Sequence, residues 1–494
     1  MLKICFIGAG SISFTRTLLR DILSVPELNN IEIGFTDINQ HNLDMVTTLC
    51  KRDIDAAGIN AKLTASTDRR AMLKDAKYVI ICVRVGGLEA FATDIDIPLK
   101  YGVDQCVGDT LCVGGIMYAQ RDIPVMLEFC KDIKEVSHPD CLVLNYANPN
   151  AMVTWTMNEF GHVPTIGLCH GVMNGHSQIA EALGAKKEDV DIICAGINHQ
   201  TWYISVKLYG KKIKQDELYQ ALLRRFGDTE KCRLDVMKRF GYYSTESNGH
   251  LSEYLPWYRS RHDEIPKWIH MDSWIDGQTG GYLRVCTESR NWFETDYPNW
   301  LKEPPLEYKQ KCRSQEHGSY IIEGLETGRV YRGHFNVVNN GCITNLPDDA
   351  IVEVPGYVDY NGVSIPKVGD LPMGLAAILN TSISVQRLAV HAGVTGDDNL
   401  LRQAILMDPL TGAVLSTDEV WQLVDDMLIA EKQWLPQYKD AIIAAENRPR
   451  ICEPRFPDYK GTRVEPKTVE EMAKDTEKNR VLVAATEKAG KDVK

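Results

Sequence analysis

The chain has 494 residues, with 55 Lys and Arg against 67 Asp and Glu, and a net charge of −12. At roughly 150 residues per domain, this length implies two lobes or one enlarged domain rather than a small module. The acidic balance argues against a nucleic-acid binder, and no unbroken apolar run of about 18 residues marks a membrane-spanning helix.

Lys3 to Ile7 reads as a buried strand, Ile12 to Ser24 as a helix, and Ile31 to Thr36 as a second strand that ends at Asp37. Leu43 to Ala57 is helical, Tyr78 to Val83 is a β-branched strand, Pro124 to Val136 is helical and Cys141 to Leu144 is a short strand. The alternation predicts an α/β fold with a doubly wound, Rossmann-like parallel sheet. Thr165 to Leu168 and Asp191 to Cys194 follow as strands, and Tyr242 to Asn299 is dense in aromatic and polar residues, as a pocket wall is. Ala350 to Val363 returns to strand and turn, and Leu371 to His391 and Thr417 to Ala445 read as long helices. The fourteen cysteines form no Cys-x-x-Cys pair, and Cys5, Cys82, Cys141 and Cys194 sit in apolar strand-like runs. Reduced, buried thiols of a cytoplasmic protein look like this.

Gly8-Ala9-Gly10-Ser11 follows the first strand and opens a helix. Glycines there allow a tight turn and close approach of a pyrophosphate, which the helix N-terminus stabilises. Ser13 replaces the third glycine of the usual motif, but Asp37 stands where a carboxylate accepts hydrogen bonds from both ribose hydroxyls. That favours NAD over NADP. Three further segments follow strands: Asn145 to Pro149, Gly167 to Val172 with Cys169 and His170, and Cys194 to His199. Ligands of doubly wound sheets bind beyond the carboxyl ends of strands, where these segments can converge. A Cys169 thiolate with a His199 imidazole is a plausible ligand pair for Mn²⁺ or another divalent ion, although any one histidine is more often structural. The expected division is a nucleotide-binding domain over 1–195, a mixed α+β substrate and metal lobe over 196–448, and an extension over 449–494 without an assigned role. Its end, Lys474 to Lys494, reads as a surface helix or a frayed terminus.

Taken together these segments resemble the NAD- and metal-dependent family 4 glycoside hydrolases, most closely their melibiase-type α-galactosidases, whose nucleotide domain is of the lactate/malate dehydrogenase kind. The resemblance runs through Asp109-Thr110, Gly114-Gly115, Asn145 to Pro149, Cys169 to Val172, Ala195 to His199, Thr245 to Ser247, His250, Ser252 to Trp257, Asn345 to Pro347 and Val352 to Val354. It implies a redox route through the sugar C3 hydroxyl, loss of the C2 proton and elimination at C1, outside the two-carboxylate pattern. It makes Gly8, Gly10, Ser11 and Asp37 cofactor-binding, Cys169 and His199 metal ligands, and His170 the residue assisting the leaving group. Asp109 would face the sugar, and Asn148 and Arg84 would bind it. Tyr254 is the first choice for the C2 base, as a phenol whose pKa a nearby metal lowers, with Glu246 and Glu253 as rivals. Phospho-sugar relatives tend to carry an Arg near Phe91 and an Asp or Asn at His170, so an unphosphorylated α-galactoside is expected. Gly171, a serine in the melibiase branch, keeps α-glucosides and α-linked uronides open. A homodimer or homotetramer, without nucleic-acid or membrane partners, completes the picture. The alternatives are a net dehydrogenase of the lactate/malate type and a non-catalytic NAD- or sugar-sensing module.

Overall fold

The computed structural model describes residues 1–270, 277–290 and 292–478. The short apolar runs of the N-terminal part form six parallel strands: β1 (Lys3–Ile7), β2 (Glu32–Thr36), β3 (Lys62–Ala65), β4 (Tyr78–Ile81), β5 (Leu142–Asn145) and β6 (Thr165–Gly167). Their order, β3-β2-β1-β4-β5-β6, is doubly wound. These strands do not alternate in polarity because both faces are covered. Ile4 and Phe6 pack into one core with α1 (Ile12–Leu23) and α2 (Gln40–Ala57). Cys5 and Ile7 pack into another with the C-terminal half of a long helix, α3 (Cys112–Val136). The reading from Pro124 placed the start of α3 three turns late, because Gly114 and Gly115 conceal a helical beginning.

The sheet does not stop at β6. It continues through β10 (Tyr331–Val338), β11 (Ile351–Asp359), β7 (Val190–Ile197), β8 (Gln200–Leu208) and β9 (Lys211–Lys212), and β12 (Gly362–Ser364) pairs with β11. Three successive antiparallel pairings set β7 against β6. Residue 195 therefore lies inside a strand of a sheet shared by both halves of the chain. The apolar helix Met373–Thr395 has the length and hydropathy to cross a membrane, yet Leu375, Leu379, Ile383 and Ala389 are buried in the largest core. Thr417 to Ala445, expected as one helix, is two, Thr417–Ala430 and Lys439–Asn447. Pro436 lies between them and cannot continue a helix. The extension folds back on the body. The Tyr459 ring stacks on His262 at 4.2 Å, Thr462 and Thr279 exchange hydrogen bonds, and Arg463 pairs with Asp96. Residues 479–494, most of the expected terminal helix, lie outside the described residues.

Candidate active site

The nucleotide cleft is built from backbone. Gly8 has φ +85°, and a Cβ there would stand 2.0 Å from the Cys82 carbonyl oxygen. The Gly10 N–H donates to Asp37 Oδ2 at 2.8 Å, and a Cβ on Gly10 would meet that same oxygen at 2.8 Å. The Asn39 N–H donates to Asp37 Oδ1 at 2.8 Å. Asp37 is thereby fixed while each oxygen retains a lone pair for a ribose hydroxyl. Ser11, the N-cap of α1, makes no side-chain cap, and the first turn carries no acidic residue. The helix N-terminus is thus suited to an anion. Ser13 is exposed, which explains why the third glycine is dispensable here. Ile38, fully exposed beside Asp37, offers apolar surface at the cleft and was not singled out from the sequence.

Cys169 lies two residues beyond β6, and His199 sits in the tight turn between β7 and β8 with φ +62°. A non-glycine residue at positive φ is uncommon and is held there by its surroundings. The donor atoms of Cys169, His199 and Glu246 all lie within 4.8 Å of one another. Cys169 Sγ is 3.5 Å, and His199 Nε2 3.9 Å, from Glu246 Oε1. Gly171 makes room for this carboxylate, since a Cβ there would stand 1.7 Å from Glu246 Oε1. His250 lies 3.7 Å from Glu246 Oε2 and belongs to a second cluster with Asp109 and His199. Asn148 and Cys169 follow the neighbouring parallel strands β5 and β6, as convergence beyond strand carboxyl ends implies, but the third segment comes from a strand of opposite direction. His199 arrives from β7, which runs opposite to β6 with β10 and β11 between them.

Thr110 decides which nitrogen His199 presents. Its hydroxyl is 2.8 Å from Asp109 Oδ1 and 2.7 Å from His199 Nδ1. The single hydroxyl hydrogen serves the carboxylate, so Nδ1 carries its own hydrogen and donates to Thr110. Nε2 is left bare toward Cys169 and Glu246, as a metal ligand requires. Burial pushes the Glu246 carboxyl up, but cationic charge on His199, His250 and His170 outweighs it and holds the carboxyl at about 2 as long as those imidazoles are protonated, a charge that a metal on Nε2 would replace. Burial and then the Glu246 charge push the Cys169 thiol well above its ordinary value. A bound cation is what would draw that proton off. A carboxylate, an imidazole and a latent thiolate at this spacing fit a divalent metal.

The remaining residues divide between the pocket and its supports. Asp109 is buried, accepts from Asn148 Nδ2 at 2.8 Å and lies 3.9 Å from Arg84. The Arg84 guanidinium lies over the rings of Phe91 at 4.1 Å and Tyr118 at 4.4 Å. His170 is the N-cap of helix Gly171–Ala182, over half exposed and 3.8 Å from Glu316. Tyr254 is fully buried, with its ring edge against His250. The protein's own groups raise its phenol well above the ordinary value, through burial and the charges of Glu253 and Asp109. Glu253 accepts from the backbone N–H groups of Cys106, Val107 and Gly108 at 2.7–3.0 Å and so anchors the loop leading to Asp109.

The family 4 glycosyl hydrolase model matches residues 3–185, and the model of that family's C-terminal domain matches residues 194–411. The chain belongs to this family. It is a glycoside hydrolase, which sets aside the dehydrogenase and sensor alternatives. It is 56% identical to an α-galactosidase of Rhizobium meliloti over 98% of this chain and 99% of that one. It is 35% identical to an α-galactosidase of Bacillus subtilis, over 89% of this chain and all of that one. Among solved structures, a putative glucosidase from Bacillus subtilis superposes with a TM-score of 0.76 at 25% identity, over 87% of this chain and 100% of that one. The 6-phospho-β-glucosidase of Thermotoga maritima, solved with NAD and glucose-6-phosphate, superposes with a TM-score of 0.71 at 26% identity, over 88% and 99%.

Proposed function

We propose that this enzyme hydrolyses α-galactosides of unphosphorylated sugars with NAD⁺ and a divalent metal, Mn²⁺ in the first place. The observation that carries this reading is the convergence of Cys169, His199 and Glu246 beside the Asp109–Asn148 pair. When bound, NAD⁺ supplies a hydride acceptor and the metal a Lewis acid for the adjoining sugar oxygens. Gly8, Gly10 and Ser11 would receive the pyrophosphate, and Asp37 would accept from the ribose hydroxyls. Cys169 and His199 would hold the metal, with Glu246 as a third donor. Asn148 gives its Nδ2 to Asp109, which leaves Oδ1 to accept from a sugar hydroxyl. His170, at the exposed edge, donates a proton to the departing oxygen. Tyr254 would take the C2 proton, with a bound cation supplying the charge that lowers its phenol, whereas Glu253 is committed to three amides and Glu246 to the metal cluster.

Two features support a neutral, unphosphorylated sugar. Phe91 is wholly buried against Arg84 and brings no second cation. Arg84 already faces Asp109, which suits it to a hydroxyl better than to the carboxylate of a uronide. The high identity to the Rhizobium α-galactosidase favours galactose over glucose although Gly171 departs from serine. None of the fourteen cysteines forms a disulfide among the described residues, which supports a cytoplasmic setting. We place a small glycoside as the sole kind of partner besides copies of the chain in a homodimer or homotetramer, which light scattering checks.

Aryl α-galactoside, α-glucoside and α-glucuronide are to be compared with NAD⁺, Mn²⁺ and a thiol reductant. The α-galactoside should turn over fastest, without NADH accumulation and with solvent deuterium at product C2. Hydrolysis that survives NAD removal and chelation would overturn the mechanism, and a faster α-glucoside would overturn the sugar. Tyr254→Phe should abolish the C2 exchange.

A further inference from the structure

Glu353, on β11, has no part in the chemistry above and is 1% exposed. Strand register places it opposite Asn336 of β10 and Gly196 of β7. That row starts at Gly167, two residues before Cys169, and ends three residues before His199. Glu353 Oε2 is 2.7 Å from Thr201 Oγ1, and the same hydroxyl is 2.7 Å from the Ile197 carbonyl oxygen. A threonine hydroxyl has one hydrogen, and a carbonyl oxygen only accepts. The Thr201 hydrogen therefore goes to Ile197, and an ionised Glu353 would press a bare oxygen against another. A hydrogen on Oε2 removes the conflict, with Glu353 donating to Thr201 and Thr201 to Ile197.

The surroundings agree. Glu353 forms no ion pair among the described residues, and neither its Oε1 nor Asn336 Oδ1 has a donor there. Among the described residues the ionisable groups that face it are the Glu246 carboxylate, which raises it further, and the Cys169 and Cys194 thiols. Burial pushes the Glu353 carboxyl up to about 8. Ile197 and Thr201 flank the turn that carries His199 at φ +62°, and their hydrogen bond closes it.

We propose that Glu353 is a protonated positioning residue: as a neutral acid it donates to Thr201, locks the Ile197–Thr201 turn and thereby holds His199 toward the metal. This rests on the reading of His199 as a metal ligand. The test is titration of Mn²⁺ into full-length protein with NAD⁺, followed by electron paramagnetic resonance. Glu353→Gln keeps a neutral donor, so its Kd should stay within about threefold of wild type. Glu353→Ala and Thr201→Val should weaken Mn²⁺ by about 10–100-fold, as loss of an orienting partner does. An infrared difference spectrum, wild type minus Glu353→Gln at pH 7, should show the carbonyl stretch of a protonated carboxyl. A Glu353→Gln variant as weak as Glu353→Ala, or the absence of that band, overturns the inference, and both readouts survive if Glu353→Ala fails to fold. His199→Ala separates the two readings. If it binds Mn²⁺ like wild type, the metal site itself fails; if it weakens binding and Glu353→Ala does not, the positioning role alone fails.

Discussion

The nucleotide cleft and the metal pocket are built by opposite means. The cleft uses residues contiguous in sequence, and its working parts are backbone: two glycines without Cβ atoms, a helix start and one carboxylate pinned by two N–H groups. The pocket uses side chains from four distant segments, with His199 aimed by the Thr110 hydroxyl and Glu246 seated in the space over Gly171. The first kind of site is fixed by what is missing from it. The second depends on hydrogen bonds with a single allowed direction, so it should fail abruptly and alone.

Cys169→Ser and His199→Ala set the largest expected effect. Turnover should fall more than about a thousandfold, beyond the roughly 10–100-fold of orienting residues, while the NAD Kd measured by calorimetry stays within about twofold. A matching loss of NAD binding would break the claim that the regions are separable. Gly171→Ser comes next. A Cβ at 1.7 Å must displace Glu246, so Mn²⁺ affinity should drop about 10–100-fold, and unchanged affinity would remove Glu246 from the ligand set. Asp37→Ala should raise the NAD Kd about tenfold, ~1.4 kcal/mol, with Mn²⁺ affinity untouched.

The smallest effect is on stability against pH. The Glu353 carboxyl is raised from 4.5 to about 8 in the folded protein. Below 4.5 both folded and unfolded chains hold the proton, and between 4.5 and about 8 only the folded chain does. Wild type should therefore lose stability across that window and level off above it. Glu353→Gln does not titrate, so its Tm relative to wild type should climb from pH 5 to pH 8 and then stay flat. A constant difference would mean that Glu353 is ionised when folded.

Legibility in the sequence follows the same divide. The cleft could be read because strand, glycines, helix and terminal Asp37 lie within 37 residues. Cys169 and His199 stand out as a plausible ligand pair from their places after strands, and the family resemblance is what turns that pair into an assignment. Glu246 was visible only as a rival base, because its place among the ligand atoms depends on Gly171 lacking a side chain. The roles of Thr110 and Glu353 rest on where one hydrogen points, and no pattern of residue types encodes that. The start of α3 at Cys112 is hidden by Gly114 and Gly115, and the insertion of β10 and β11 is hidden for a different reason, since it depends on tertiary pairing.

That insertion has a consequence for a chain emerging from the ribosome. β1 to β6 pair using residues up to 167, so the cleft can assemble early. Cys169 and His199 are made soon afterwards, but the strands that set the distance between them are residues 331–338 and 351–359. Contacts this remote in sequence form late. A nascent chain would therefore acquire its place for the nucleotide well before its place for the metal, and truncated products would carry the first without the second.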